Sequence, residues 1–160
     1  MFELDGPCRV EGWIKNKGLN WRLHKLNSRV KTVAEAAYAL SVDEGSIVKT
    51  VVIKCGDLFY ACILRGDTRL DLNKISIILH CKPRLAKPRE VEEVTGYSIG
   101  GVPPAPLPSS VGILVDIRAA ELKQAYGGGG DDYTLLEFRP KELLDETNAV
   151  IVDMAANYVE

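Results

Sequence analysis

Ser46-Ile-Val-Lys-Thr-Val-Val-Ile-Lys54 and Leu58-Phe-Tyr-Ala-Cys-Ile-Leu64 answer each other across Gly56-Asp57, and no other stretch restricts the chain so tightly. Side chains that are aromatic or branched at Cβ suit a pleated strand, and a short Gly-containing turn between two such runs closes a β-hairpin. A sheet is therefore the framework. One residue breaks its apolar pattern. Period-two alternation puts Lys49 on the same face as Ile47, Val51 and Ile53. An ammonium among apolar strand neighbours is costly unless it snorkels to the rim or meets a polar partner. Lys49 is therefore either a rim lysine paired with an acid such as Asp67 or Asp116, or a functional cation that holds a phosphate or polarises a carbonyl.

The remaining segments read as short elements strung around that hairpin. Thr32 and Glu35 fit a capping box that opens a helix running to about Leu40. Leu72, Ile75 and Leu79 share one helical face, Pro88 opens a short helix to Val94, and Pro140 to Leu144 gives a further turn or two. Arg84 to Ala86, Gly112 to Asp116, Tyr133 to Phe138 and Ala149 to Val152 read as strands. Ala119 to Tyr126 reads as a helix stopped by Gly127 to Gly130, whose favoured role is a C-cap and turn rather than a phosphate loop. Leu19 to Lys31 has no clean period and reads as a short helix or loop. Five or so strands with short helices between them, no repeats and no linker, predict a single α+β (mixed α/β) domain. A chain of 160 residues supplies enough core for it.

A second constraint is Thr95-Gly-Tyr-Ser-Ile-Gly-Gly-Val-Pro-Pro-Ala-Pro-Leu-Pro108. Gly100 and Gly101 permit close backbone approach, while the prolines that follow stiffen the chain and remove N–H donors. A stiff loop with bare N–H groups at one end suits a carbonyl oxygen or a phosphate. It would also serve as a rigid corner between strands, or as an exposed proline-rich docking strip.

The net charge of -2 conceals an asymmetry. Residues 1–31 carry seven basic side chains against three acidic ones, and residues 131–160 carry eight acids against Arg139 and Lys141. Lys15, Lys17, Arg22 and Lys25, interleaved with Trp13, Trp21 and His24, have the composition of a local RNA-facing surface; a solvated helix face is the plainer reading. Overall acidity argues against bulk nucleic-acid binding. There is no leader of basic then apolar residues and no run of ~20 apolar residues, so a soluble, cytoplasmic protein without a membrane partner is expected. Cys8, Cys55, Cys62 and Cys81 form no CxxC pair and, with two histidines, no usual zinc set. Free core thiols are expected, with no metal and no cofactor. Gly45-Ser-Ile-Val-Lys49-Thr50 lacks the glycines of a P-loop, and no nucleophile elbow is visible.

Taken together, Ile47-Val-Lys49-Thr50-Val-Val, Arg65-Gly-Asp67-Thr-Arg69-Leu-Asp71-Leu-Asn-Lys74, Leu85-Ala86, Thr95-Gly-Tyr97-Ser-Ile-Gly-Gly-Val-Pro-Pro104 and Val115-Asp116 follow in a distinctive order and spacing. That order resembles the YbaK family, the editing domains associated with prolyl-tRNA synthetase. The resemblance covers roughly residues 28–155. It implies an editing domain over 28–160, preceded by a basic extension over 1–27 and free-standing, since no synthetase core accompanies it. It also implies a curved mixed sheet approaching a closed barrel, flanked by short helices.

As to function, the resemblance implies an aminoacyl-tRNA deacylase acting in trans. Its substrate would be the ester of a small amino acid (alanine, cysteine or serine) mischarged on the 3′ CCA end of a tRNA, with tRNA for proline the expected carrier. Lys49 carries over as the family's strand lysine, and Gly100 to Pro104 as its GxxxP loop. Thr50 takes a position that varies with substrate, and Pro103 stands where relatives often have serine. On this reading Lys49, Gly100, Gly101 and Val102 are catalytic, with the N–H groups of Gly101 and Val102 binding the ester carbonyl. Thr50, Pro103, Pro104 and Asp116 contact the substrate, and an aminoacyl-tRNA synthetase is a candidate partner. A module that binds aminoacyl-tRNA or a synthetase without turnover is the alternative.

Overall fold

The computed structural model describes residues 5–156, so the outer ends of both expected spans, at 1 and 160, lie outside it. The hairpin is present as expected: β2 (Val48–Cys55) and β3 (Leu58–Arg65) pair antiparallel about Gly56, whose φ of 59 suits glycine. Around them the chain forms α1 (Gly6–Lys17), β1 (Arg22–Lys25), α2 (Val33–Leu40), α3 (Leu72–Leu79), β4 (Arg84–Leu85), α4 (Pro88–Thr95), β5 (Val111–Asp116), α5 (Ile117–Ala120), β6 (Ala125–Gly128), β7 (Thr134–Phe138), α6 (Pro140–Glu146) and β8 (Val150–Val152). The class is α+β, as expected.

The strands fall into two sheets, in the orders β1-β7-β6 and β4-β2-β3-β5-β8. The first is antiparallel; the second is mixed, with β3, β5 and β8 running parallel. The sheets meet at a bridge between Ile47 and Tyr126, so the barrel that the sequence suggested stays open. Pro83 and Pro88 confine β4 to two residues at the edge of the larger sheet.

Alternation along β3 sends Ala61 and Ile63 to one side and Cys62 and Leu64 to the other, and all four are buried. Both faces are covered, which is why the run is apolar throughout rather than alternating. On one side Ile63, Val52 and Val115 pack with Leu136 and Phe138 of the smaller sheet and with Val10 and Ile14 of α1. On the other, Ile53, Cys62 and Leu64 pack under Ile75 of α3 and Met154.

Three expectations are corrected. Leu19 to Lys31 contains β1, which pairs with β7 in the register Arg22↔Glu137 to Lys25↔Thr134. Ala119 to Tyr126 is not one helix. The helix ends at Ala120, and Ala125–Gly128 is a strand whose glycines take ladder positions opposite Leu136 and Leu135. Pairing and close packing outweigh the weak strand propensity of glycine there. The cysteines are not all free: Cys55, at the end of β2, is disulfide-bonded to Cys81 beyond α3, with Cα atoms 5.7 Å apart. Packing of α3 on the sheet makes neighbours of residues 26 apart, which no local pattern announces. Cys62 remains a buried thiol, pushed up to about 12 by its burial.

Candidate functional site

The Gly-Pro loop is held from behind. Thr95, fully buried at the end of α4, donates through its hydroxyl to the Val91 carbonyl and accepts from the Tyr97 N–H. Gly96 caps α4 at a φ of 80, and Arg9 of α1 donates to its carbonyl at 2.7 Å while its guanidinium lies 4.4 Å from the Tyr97 ring centroid. The Tyr97 hydroxyl donates to the Pro106 carbonyl at 2.9 Å. Gly101, Val102, Pro103, Pro104 and Ala105 are buried. Pro103 and Pro104 are packed away, against the docking-strip reading, while Pro106 is half-buried and Pro108 exposed.

In front of the loop lies a cleft of about 190 Å³. Its walls are Val30–Val33 and Ala36 before and within α2, Ile47–Thr50 at the start of β2, Ile99, Gly100 and Val102, and Gly127, Gly128, Asp131, Asp132, Thr134 and Leu135. The loop and β6 approach at backbone distance. A Cβ on Gly128 would collide with the Val102 carbonyl, one on Gly101 would fall 2.6 Å from the Asp131 Cα, and the Gly130 N–H donates to the Gly101 carbonyl at 2.9 Å. The four-glycine run is therefore a contact surface, not a helix stop. A Cβ on Gly100 would meet the Asp132 carboxylate at 2.6 Å, which locates that acid beside the loop.

Lys49 lines this cleft half-buried, and its ammonium donates to the Thr68 carbonyl. Burial holds its pKa below the ordinary lysine value; the charge of Arg69 adds to the lowering and that of Asp67 opposes it. Neither proposed acid pairs with it. Asp67 is gripped by Arg65 through Nε at 3.0 Å and Nη2 at 2.7 Å, chiefly a hydrogen-bonding effect that holds its carboxyl below the usual range. Asp116 is fully buried; its carboxylate accepts the N–H groups of Met154, Ala155 and Arg118, and its oxygens lie 3.3 Å from Arg118 Nη1.

The cleft thus joins Lys49, Thr50, Gly100 and Val102, while Gly101, Pro103 and Pro104 are buried and do not line it, and Asp116 stands apart as the tie between β5 and the segment after β8. The Gly101 N–H is already spent on the Ser98 carbonyl at 2.8 Å. Among the described residues, those of Gly100 and Val102 meet no backbone acceptor. Sequence reasoning missed Thr32, Asp131, Asp132 and Thr134. The four glycines ahead of two aspartates were the signal that pointed there.

The basic N-terminal residues divide. Trp13 packs tilted against Trp21, with ring centroids 5.3 Å apart, and Trp21 packs on Phe138 and donates to Glu142, so both rings serve the core. Lys15 pairs with Glu11 and Lys17 with Glu146, at the end of α1 far from Gly130. Arg22 stands opposite Glu137, whereas Lys25 stands opposite Thr134, at the cleft end of β1.

Together these features define an α+β domain with a small cleft lined by a strand lysine and by Gly100 and Val102 of a rigid loop. A family model described as the aminoacyl-tRNA editing domain matches residues 27–146, and the chain belongs to that family. Among curated relatives it is 30% identical over 113 residues to the uncharacterized protein YwhH of Bacillus subtilis, covering 70% of this chain and 72% of that one. It is also 30% identical over 103 residues to a proline–tRNA ligase of Leuconostoc mesenteroides, covering 64% of this chain but 18% of the ligase. Against the ligases it matches, the chain therefore spans only a fraction of their length. Among solved structures it resembles the hypothetical protein APE2540, with 44% identity, a TM-score of 0.88 and coverage of 92% and 99%. A candidate trans-editing enzyme for prolyl tRNA synthetase follows, with 30% identity, a TM-score of 0.88 and coverage of 98% and 100%.

Proposed function

We propose that this protein is a trans-editing deacylase that hydrolyses the ester joining a small amino acid (alanine, cysteine or serine) to the 3′ end of a tRNA, with tRNA for proline the expected carrier. One observation carries the reading: Lys49, Thr50, Gly100 and Val102 line a single cleft too small for much beyond the end of a substrate, and the N–H groups of Gly100 and Val102 meet no backbone acceptor among the described residues. Membership of the editing family and the likeness to a candidate trans-editing enzyme support it.

An aminoacyl ester is already activated, so such a site needs positioning and stabilisation of developing charge more than a protein nucleophile. Water adds to the ester carbonyl carbon, and the oxygen that becomes negative is met by the N–H groups of Gly100 and Val102. The Gly101 N–H, bonded to Ser98, holds the loop in shape instead. The proton that the water gives up passes by way of the neighbouring ribose hydroxyl to the departing ribose oxygen, and collapse of the tetrahedral species breaks the ester bond to leave the free amino acid and a ribose hydroxyl. Lys49 exchanges the Thr68 carbonyl for the terminal phosphate. Asp132, beside Gly100, accepts a hydrogen bond from the ribose hydroxyl next to the ester. Selection is by size, because a cavity rejects a larger side chain sterically, whereas one extra methylene alone changes affinity by only ~1–3 kcal/mol.

The test is a deacylation panel of alanyl-, cysteinyl-, seryl- and prolyl-tRNA for proline, with wild type beside Lys49→Ala. Hydrolysis of one small misacylated species, sparing the prolyl ester and lost in the variant, is expected. Binding of tRNA with no turnover on any ester would instead make this a recognition module.

A further inference from the structure

Two loops meet at the mouth of the cleft and are stitched together through their backbones. The Leu26 N–H donates to the Tyr133 carbonyl at 2.8 Å and the Val30 N–H to the Asp132 carbonyl at 2.9 Å. The Tyr133 N–H in turn donates to Asp131 Oδ1 at 2.9 Å. The backbone at Tyr133 is therefore fixed, yet the residue is 42% exposed. Arg29, also exposed, donates through Nε to the Tyr133 hydroxyl at 3.2 Å, and its guanidinium carbon stands 5.7 Å from the ring centroid. The immediate chain neighbours of both residues, Val30 on one loop and Asp132 and Thr134 on the other, form the cleft wall.

An exposed cation–aromatic pair contributes little to folding, so stability gives no reason to place it there. A flat ring with fixed backbone and a guanidinium beside it, next to a cleft wall that carries Lys31 as well as Asp131 and Asp132, offers what single-stranded nucleic acid uses. Aromatic faces stack bases of any identity, and nearby cations meet the phosphates between them. We propose that Tyr133 and Arg29 form a stacking platform for an unpaired nucleobase of the RNA end whose last residue enters the cleft. The proposal rests on the nucleic-acid part of the function given above, but not on catalysis. The platform fixes where the strand lies as it approaches Gly100, and so sets affinity for the single-stranded end rather than the rate of the chemical step.

The test uses a fluorescently labelled RNA stem-loop ending in a single-stranded NCCA, beside the same stem-loop with a blunt end. Binding is measured for wild type, Tyr133→Ala and Tyr133→Phe, with circular dichroism confirming that each variant is folded. Wild type should prefer the overhang. Tyr133→Ala should weaken overhang binding by about 5- to 150-fold, the range expected for removing one base stack, and leave blunt-end binding unchanged. Tyr133→Phe should stay within about twofold of wild type, since it keeps the ring and loses only the hydroxyl.

The platform is overturned by overhang binding that survives Tyr133→Ala. It is equally overturned by a Phe variant as weak as the Ala variant, or by a wild type that treats both RNAs alike. Deacylation is read separately on the same proteins. Overhang-dependent binding without turnover would sink the deacylase reading and keep the platform. Turnover with Tyr133→Ala binding as wild type would do the reverse.

Discussion

Lys49 is a cation whose acceptor in the folded chain is a carbonyl oxygen rather than a carboxylate. A carbonyl is neutral, so replacing it with a phosphate gains a full charge interaction, and the ammonium is in this sense kept available. Its pH behaviour follows from burial and from Arg69, which lower its pKa. The proton leaves at a pH below that of an ordinary lysine, so kcat/KM should fall on the alkaline side earlier than for an exposed lysine. Lys49→Arg, which stays charged, should remove that limb even if it lowers the plateau. Stability runs the other way: just below the usual lysine value the unfolded chain binds the extra proton, so stability rises with pH there. Asp116 makes the opposite case. Its buried carboxylate satisfies the N–H groups of Met154 and Ala155, and removing it orphans them. Asp116→Ala should cost about 3 kcal/mol of stability, read as a lower denaturation midpoint, with KM for aminoacyl-tRNA unchanged in the molecules that remain folded.

Among elements, the β6 strand and the Gly-Pro loop behave as one unit because their backbones touch. Gly128→Ala would drive a methyl into the Val102 carbonyl and should cost roughly 1–3 kcal/mol; deacylation should fall further than stability, because the donors at Gly100 and Val102 move. Thermal melts beside kcat on folded protein separate the two effects. The same strand shows what sequence reading reaches. The hairpin of β2 and β3, the helices opened by Thr32, Leu72 and Pro88, and the loop around Gly100 are written in local spacing, so they were legible. β6 was not, since Ala125–Gly128 becomes a strand only through β7 and the loop that presses on it. For the same reason Lys49 was legible as the one charge in an apolar run, while Asp132 depends on the meeting of distant segments. That Asp116 stands outside the cleft was not legible, because an acid at the end of a strand looks the same in sequence whether it faces a ligand or two backbone amides.

At the level of the whole molecule, the charge asymmetry of the sequence folds onto itself. β1 lies against β7, Lys17 pairs with Glu146 and His24 meets Glu137, so part of the basic N-terminal segment faces the acidic C-terminal one. Lys31 lines the cleft, with Lys25 and Arg29 beside its wall, where Asp131 and Asp132 also stand. Binding of tRNA followed against salt concentration should show this. Neutralising Lys15 and Lys17 should leave the log–log slope in place, and neutralising Lys25 and Lys31 should reduce it by about 0.7 to 0.9 for each phosphate no longer neutralised.

Gly6, at the first turn of α1, and Gly130 approach so closely that a Cβ on either residue would collide with the other's main chain. The helix lies outside the segment that matches the editing family, yet it leans on the loop whose next two residues, Asp131 and Asp132, line the cleft. Energetic coupling between two sites is reciprocal: if the docked helix favours the binding-competent loop, then an occupant of the cleft must favour the docked helix to the same degree. Amide hydrogens of residues 6–17 should therefore exchange more slowly when tRNA is bound, although no part of the ligand need touch them. Substituting Gly6 by a bulkier residue should abolish that protection and weaken the ligand together, making the N-terminal helix a remote control on affinity.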